Sequence, residues 1–174
     1  MKTWIALLRG INVGGHHIVP MKDLIRLMEQ EGFSNVKTYI QSGNVVCDYP
    51  SRPGIEISKI IENNFGFKPW VMILSAEELY TAANNNPYQV TEGKTVHFFF
   101  FDSDPLEPDL ELLNSLKAES EKFHLEDRVF YLYAPDGIGR SKLVEKVGKA
   151  FKGVTMTARN LNTVGKLLEM SVAR

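Results

Sequence analysis

The chain has 174 residues, 44% of them hydrophobic and 24% charged, with a formal net charge of −1. These values suit one medium folded domain or two small halves, and they exclude a disordered or collagen-like chain. No apolar run approaches the roughly 18–20 residues that a membrane-spanning helix needs, so no membrane partner is expected.

The strand and helix signals come in a regular order. Residues 3–9 read as a strand, Thr3-Trp4-Ile5-Ala6-Leu7-Leu8-Arg9. Pro20 suits a first helical position, and Met21, Leu24, Leu27 and Met28 recur at helical spacing up to Gly32. Val36–Ile40 and Val45–Asp48 form two short strands around a turn at Ser42-Gly43-Asn44. After Pro53-Gly54, a stripe of Ile57, Ile60, Ile61 and Phe65 predicts a second helix closed by Gly66, and Trp70–Leu74 a fourth strand. Ser75-Ala76-Glu77-Glu78 has capping-box spacing and opens a linking helix to about Ala83.

Asn84-Asn85-Asn86-Pro87 breaks that helix, and the same order then repeats. Thr95–Phe101 is a strong apolar strand. Pro105–Ala118 predicts a helix with Leu106, Leu110, Leu113 and Leu116 inward. Strands follow around Lys122–Leu125 and Arg128–Tyr133. A helix from Ser141 carries Leu143, Val144, Val147 and Phe151 inward, Val154–Ala158 is a final strand, and a terminal helix follows Asn160. The expected fold is α+β: two ferredoxin-like βαββαβ halves packed together, with a linking helix and a C-terminal helix. Residues 1–83 form the first half with the linking helix, and 94–174 the second half with the C-terminal helix.

The charge is unevenly spread: residues 1–75 carry +2, residues 76–140 carry −8 and residues 141–174 carry +5. A basic C-terminal stretch suits an anionic ligand, the chain's own acidic middle, or simply a solvated face. The N-terminus reaches Arg9 before a signal-peptide core is complete, and the single cysteine, Cys47, cannot close an internal disulfide. Both features point to a cytoplasmic location. Cys47 lies in an apolar run and reads as a buried, inert thiol.

The stretch Leu7-Leu8-Arg9-Gly10-Ile11-Asn12-Val13-Gly14-Gly15-His16-His17 is the most pointed candidate site. Glycine-rich backbone beside an arginine suits an anion held by main-chain N–H groups and a guanidinium. It equally suits a strand-to-helix connection whose arginine pairs with a carboxylate of its own chain. The spacing matches neither a P-loop nor a dinucleotide fingerprint, so no cofactor is expected. Ser42 and Asn44 are further candidates, and Ser, Gly and Asn are also what tight turns use. Near the C-terminus Arg159 stands before a helix start that Asn160 can cap. A cation there opposes the helix dipole and calls for a negative partner, from the protein or from a ligand. Arg140, Ser141 and Lys142 repeat the theme after Gly137 and Gly139 as secondary candidates.

His16 and His17 are adjacent and lack the i,i+4 spacing that aims two ligands at one metal ion, so no metal is expected. No nucleophile or carboxylate pair declares itself, and no reaction is assigned. Nucleic acid is the rival partner: Tyr131 and Tyr133 share one strand face, and residues 96–101 are aromatic on both faces. Aromatics on both faces more simply indicate a sheet buried on both sides.

Three motifs carry a resemblance. Ala6-Leu7-Leu8-Arg9-Gly10-Ile11-Asn12-Val13-Gly14-Gly15, Thr38-Tyr39-Ile40-Gln41-Ser42-Gly43-Asn44-Val45, and Arg159-Asn160 with Asn162-Thr163-Val164 and Lys166-Leu167 resemble the bacterial family catalogued as domain of unknown function 1697. The segment Pro135-Asp136-Gly137-Ile138-Gly139-Arg140-Ser141-Lys142 is similar as well, while Leu161 stands where members usually carry tryptophan. The resemblance implies a cytoplasmic bacterial α+β protein and names no reaction.

Together these readings lead to a protein that binds a small anion, phosphate- or nucleotide-like, in a cleft between the halves. Arg9, Asn12, Gly14, Gly15, Ser42, Asn44, Arg159 and Asn160 would contact it. With strands one and four expected at opposite edges of each sheet, Arg9 and Arg159 would meet only across that cleft, with guanidinium groups within about 10 Å. The alternative is an RNA-binding or protein-interaction module that uses open sheet faces.

Overall fold

The computed structural model describes residues 1–172, which divide into two units. The first comprises Met1–Asn84 together with the C-terminal segment from Thr163, and the second Asn85–Asn162. The first unit runs β1 (Lys2–Leu8), α1 (Met21–Gln30), β2 (Ser34–Tyr39), β3 (Asn44–Tyr49), α2 (Glu56–Phe65), β4 (Val71–Ser75) and α3 (Ala76–Asn84). The second runs β5 (Val96–Phe101), α4 (Leu110–Leu116), β6 (Lys122–Glu126), β7 (Val129–Tyr133), α5 (Lys142–Glu145), α6 (Val147–Ala150) and β8 (Met156–Asn160). Helix α7 (Leu161–Val172) follows β8 directly.

Each unit holds one four-stranded antiparallel sheet, ordered β2-β3-β1-β4 in the first and β6-β7-β5-β8 in the second. The repeated βαββαβ order is thus a repeated topology. Strands one and four are not at opposite edges as expected. The first strand of each unit is central and pairs with the fourth, Ala6 opposite Ile73 and Phe99 opposite Ala158. A split βαβ connection leaves room for one strand between β2 and β1, and β3 fills it. Because α1 and α2 pack on the same face, a second right-handed crossover starting from the antiparallel β3 runs the other way and sets β4 on the far side of β1.

Alternation along β1 decides what each sheet face does. Trp4, Ala6 and Leu8 point into a core with Met21, Leu24 and Met28 of α1 and Ile57, Ile60 and Ile61 of α2. Ile5 and Leu7, on the opposite face, are fully buried too. Helix α3 packs on β1 and β4 and buries Leu79 and Ala82. Its start is the expected capping box: Ser75 Oγ accepts the Glu78 N–H at 3.0 Å, and Glu78 accepts the Ser75 N–H at 2.7 Å. Burial opposes ionisation of Glu78, but the Ser75 N–H and the Arg52 guanidinium outweigh it and hold the carboxyl below its ordinary range.

In the second unit Phe99, Phe101, Phe130 and Leu132 pack with Leu113, Leu143, Val147 and Phe151. Two helices differ from expectation. The predicted helix from Pro105 begins only at Leu110, where Asp109 accepts the Leu112 N–H at 3.0 Å. Pro108 lacks an N–H and biases Glu107 away from helical backbone; Glu107 has φ +49°, and Leu106 is left 80% exposed rather than inward. The helix from Ser141 is split at Lys146 into α5 and α6. There the Lys146 and Lys149 N–H groups bond three residues back, to Leu143 and Lys146, which tightens the chain into short turns.

Candidate functional site

Arg9 leaves β1 at one end of the first sheet, where three segments meet. The Arg9 N–H donates to the Trp70 carbonyl at 3.0 Å and the Leu8 N–H to the Gly43 carbonyl at 2.8 Å. Beyond Arg9 the chain folds into a miniature hairpin: Asn12 N–H donates to His17 O and His16 N–H to Val13 O, both at 3.0 Å. Gly14 and Gly15 form its tip, with φ +57° and +74°. Positive φ at both central residues is what the favoured two-residue hairpin turn requires, and glycine supplies it without strain.

The side chain of Asn12 fixes this hairpin in place. Its Nδ2 donates to Val19 O at 3.0 Å and to Gln41 O at 2.7 Å, while its Oδ1 accepts the Val19 N–H at 2.8 Å. Both amide hydrogens therefore go to main-chain carbonyls. Asn12 sits at φ +53°, a region asparagine tolerates better than most residues. Asn44 is fully buried, and its Nδ2 donates to Tyr39 O and to Ser42 Oγ, both at 3.1 Å. The amide contacts expected from Asn12 and Asn44 thus go to the protein's own chain. They make a scaffold on which Arg9, Gly14 and Gly15 are presented.

Arg9 itself is exposed, and among the described residues its guanidinium has no hydrogen bond or ion pair. The sequence thus brings Arg9, Asn12, Gly14, Gly15, Ser42 and Asn44 to one end of one sheet. His17, for which the sequence suggests no role once a metal is set aside, is a structural partner there. Its ring stacks on Phe67 with centroids 4.2 Å apart, and its Nδ1 lies 3.2 Å from Gly10 O. Phe67 follows Gly66 at the end of α2 and gave no sequence signal for this contact. Among the described residues no group of three or more His, Cys, Asp or Glu is placed to hold a metal ion.

Arg159 and Asn160 belong to the second unit, on edge strand β8, where Arg159 lies opposite Phe98 of β5. The Arg159 guanidinium donates to Thr157 Oγ1 and to Ala158 O, both at 2.8 Å. Burial lowers its pKa to about 10, which leaves it charged at neutral pH. Leu161, at the start of α7, is half-buried.

Arg140, Ser141 and Lys142 line a groove of about 460 Å³ in the second unit, together with Lys117, Ser120 and Asp136. Ser141 is not a free hydroxyl. It accepts the Val144 N–H at 3.2 Å and donates to the buried carboxylate of Glu121 at 2.7 Å. Glu121 and Lys117 sit between α4 and β6, in a segment whose sequence carries no motif.

The aromatics proposed for RNA stacking are mostly enclosed. Tyr131, Phe98 and Phe100 are buried, with Tyr131 edge-on to Phe98 at 5.0 Å. Tyr133 is half-buried and stacks on Tyr88 at 6.0 Å. No helix of the described residues is long and apolar enough to cross a membrane.

The fold and the tethered glycine loop define a mixed α+β protein of two antiparallel βαββαβ units. Residues 1–131 match the family described as "Protein of unknown function (DUF1697)", and the chain belongs to that family. The two opening motifs of the resemblance fall within the matched residues, and those at 135–142 and 159–167 lie beyond them. Among solved structures, a conserved bacterial protein from Streptococcus pneumoniae is 22% identical, with a TM-score of 0.69 over 98% of each chain. That likeness shows the fold. An unknown protein from Galdieria sulphuraria, 11% identical over 91% of this chain and 98% of its own, gives a TM-score of 0.28 and carries no argument. The curated proteins contain no match to the chain.

Proposed function

We propose that the protein binds a small anion of phosphate- or nucleotide-like chemistry at the Arg9 loop. The observation that carries this reading is the exposed Arg9 guanidinium, unpaired among the described residues, on a loop whose position Asn12 fixes through Gln41 and Val19. A cation on a pinned loop binds an anion at little ordering cost, because its backbone is already in place. Arg9 gives charge-assisted, bidentate bonds, and the exposed N–H groups of Gly14 and Gly15 give neutral donors. Asn12, Ser42 and Asn44 hold the platform. Arg159 and Asn160 belong to the second unit, and the Arg9-loop site is proposed without them. The location we propose is the cytoplasm, in keeping with a chain whose single cysteine cannot close an internal disulfide.

A thermal-shift titration with inorganic phosphate, pyrophosphate and adenosine monophosphate tests the reading. A ligand at about 100 times its Kd adds about 2.7 kcal/mol of stability. Arg9→Ala is expected to keep the melting temperature of the free protein and to abolish the shift. An equal shift in the variant would remove Arg9 from the site, and no shift with any of the three in the parent protein would remove the site.

A further inference from the structure

The groove that Arg140 and Lys142 line in the second unit has properties of its own. Lys117, Arg140 and Lys142 bring three cations to it, although residues 76–140 carry a net charge of −8. Among the described residues neither Arg140 nor Lys142 forms an ion pair, and the Lys117 ammonium reaches only the Glu121 carbonyl, at 3.4 Å. Of the two carboxylates that line the groove, Glu121 and Asp136, the buried one is already occupied. Glu121 is 4% exposed; one of its oxygens accepts the Ala118 N–H at 2.6 Å and the other the Ser141 hydroxyl at 2.7 Å. Protein donors thus absorb the buried negative charge of Glu121, and the three cations that line the groove form no ion pair among the described residues.

A fixed wall makes this more than a set of surface charges. The Ser141–Glu121–Ala118 chain ties the loop before α5 to the end of α4, so the backbone carrying Arg140 and Lys142 is held. On the rim, Ser120 Oγ donates to Asp136 Oδ2 at 2.7 Å, which orients the carboxylate. The other oxygen of Asp136 is suited to accept a hydroxyl donor.

We infer that this groove binds a small phosphorylated polyol, with the phosphate on Lys117, Arg140 and Lys142 and a ligand hydroxyl on Asp136. The volume is that of a small-molecule site. Polyanions are disfavoured by the same charge pattern: a nucleic acid extends into the acidic surroundings, whereas a compact dianion meets mainly charges within a Debye length of about 8 Å. This site is independent of the Arg9 loop and stands or falls separately.

The test is an amide-resolved NMR titration of the full chain with glycerol 3-phosphate, inorganic phosphate and glycerol. Saturable shifts at Lys117, Gly137 and Arg140–Lys142 are expected with glycerol 3-phosphate at millimolar concentration, weaker ones with phosphate and none with glycerol. The double variant Arg140→Ala/Lys142→Ala should melt like the parent and lose at least about tenfold in affinity, about 1.4 kcal/mol. Arg9→Ala should bind glycerol 3-phosphate as the parent does. Asp136→Ala should bind glycerol 3-phosphate no more tightly than it binds phosphate. Unsaturable shifts, or full affinity in the double variant, would overturn the site, and equal affinity for phosphate and glycerol 3-phosphate in the parent would overturn the polyol.

Discussion

The side chain of Asn12 donates to the main-chain carbonyl of Gln41 at 2.7 Å, and this bond ties the glycine loop after β1 to the hairpin between β2 and β3. The two residues are 29 apart in sequence, so the contact is a tertiary tether rather than turn chemistry. Asn12→Ala leaves the Val19 N–H and two carbonyls short of their partner and places alanine at positive φ. Its expected cost is about 2–3 kcal/mol. For a chain of this size that lowers the melting temperature by about 2–4 °C per kcal/mol. An unchanged melting temperature would show that the loop is not held in this way.

Gly43 packs tightly against the end of β1. A Cβ there would lie 2.7 Å from Leu8 Cβ and 3.1 Å from two atoms of Ile11, on a backbone with φ +89°. Gly43→Ala therefore combines overpacking with backbone strain, at about 2–4 kcal/mol. Chemical denaturation should show a lower midpoint for G43A than for Gly10→Ala, since Gly10 shares positive φ but has no atom within 4 Å of its Cβ position. Equal midpoints would mean that the close approach carries no energy.

Tyr131 is fully buried against Phe98, so it reads as core and not as a stacking platform. Tyr131→Ala is expected to cost about 3–5 kcal/mol, the range for removing a buried aromatic ring. The informative comparison is melting temperature against RNA retention on a filter. A variant that melts like the parent and loses an RNA signal would restore the nucleic-acid reading.

His97, on β5, has an Nε2 atom that is buried with no hydrogen-bond partner among the described residues, and burial lowers its pKa below the ordinary value of 6.5. As pH falls below about 6.5 the unfolded chain takes up a proton there before the folded one does. Stability that is constant above this pH is then lost towards the lower folded pKa. Melting curves at about pH 7.5 and about pH 5.5 should differ more for the parent protein than for His97→Gln. The same difference in both would place the acid sensitivity elsewhere.

Much of the fold was legible because its signals are local. The capping box at Ser75 and Glu78, the glycine and proline breaks, and apolar spacing along α1 and α2 each act within a few residues, so the βαββαβ order could be read from the chain and its repeat after Asn84 noticed. The same locality failed at Leu106, where leucine spacing suggested a helix that Pro108 delays until Leu110.

The sequence by itself determined the element order, the two-sided burial of the aromatic strands, the arginine-glycine loop and the group of residues around it. Only the tertiary structure decided that β1 and β5 are central, because sheet order depends on which strands, distant in sequence, each crossover brings side by side. It likewise decided the fate of the polar side chains. Asn12 and Asn44 spend their amide hydrogens on the chain itself, and Ser141 its hydroxyl hydrogen on a carboxylate 20 residues away. Arg9 is left facing outward. A side chain's type limits what it can bond, but the partner is set by whatever distant backbone or carboxylate folding brings within hydrogen-bond reach.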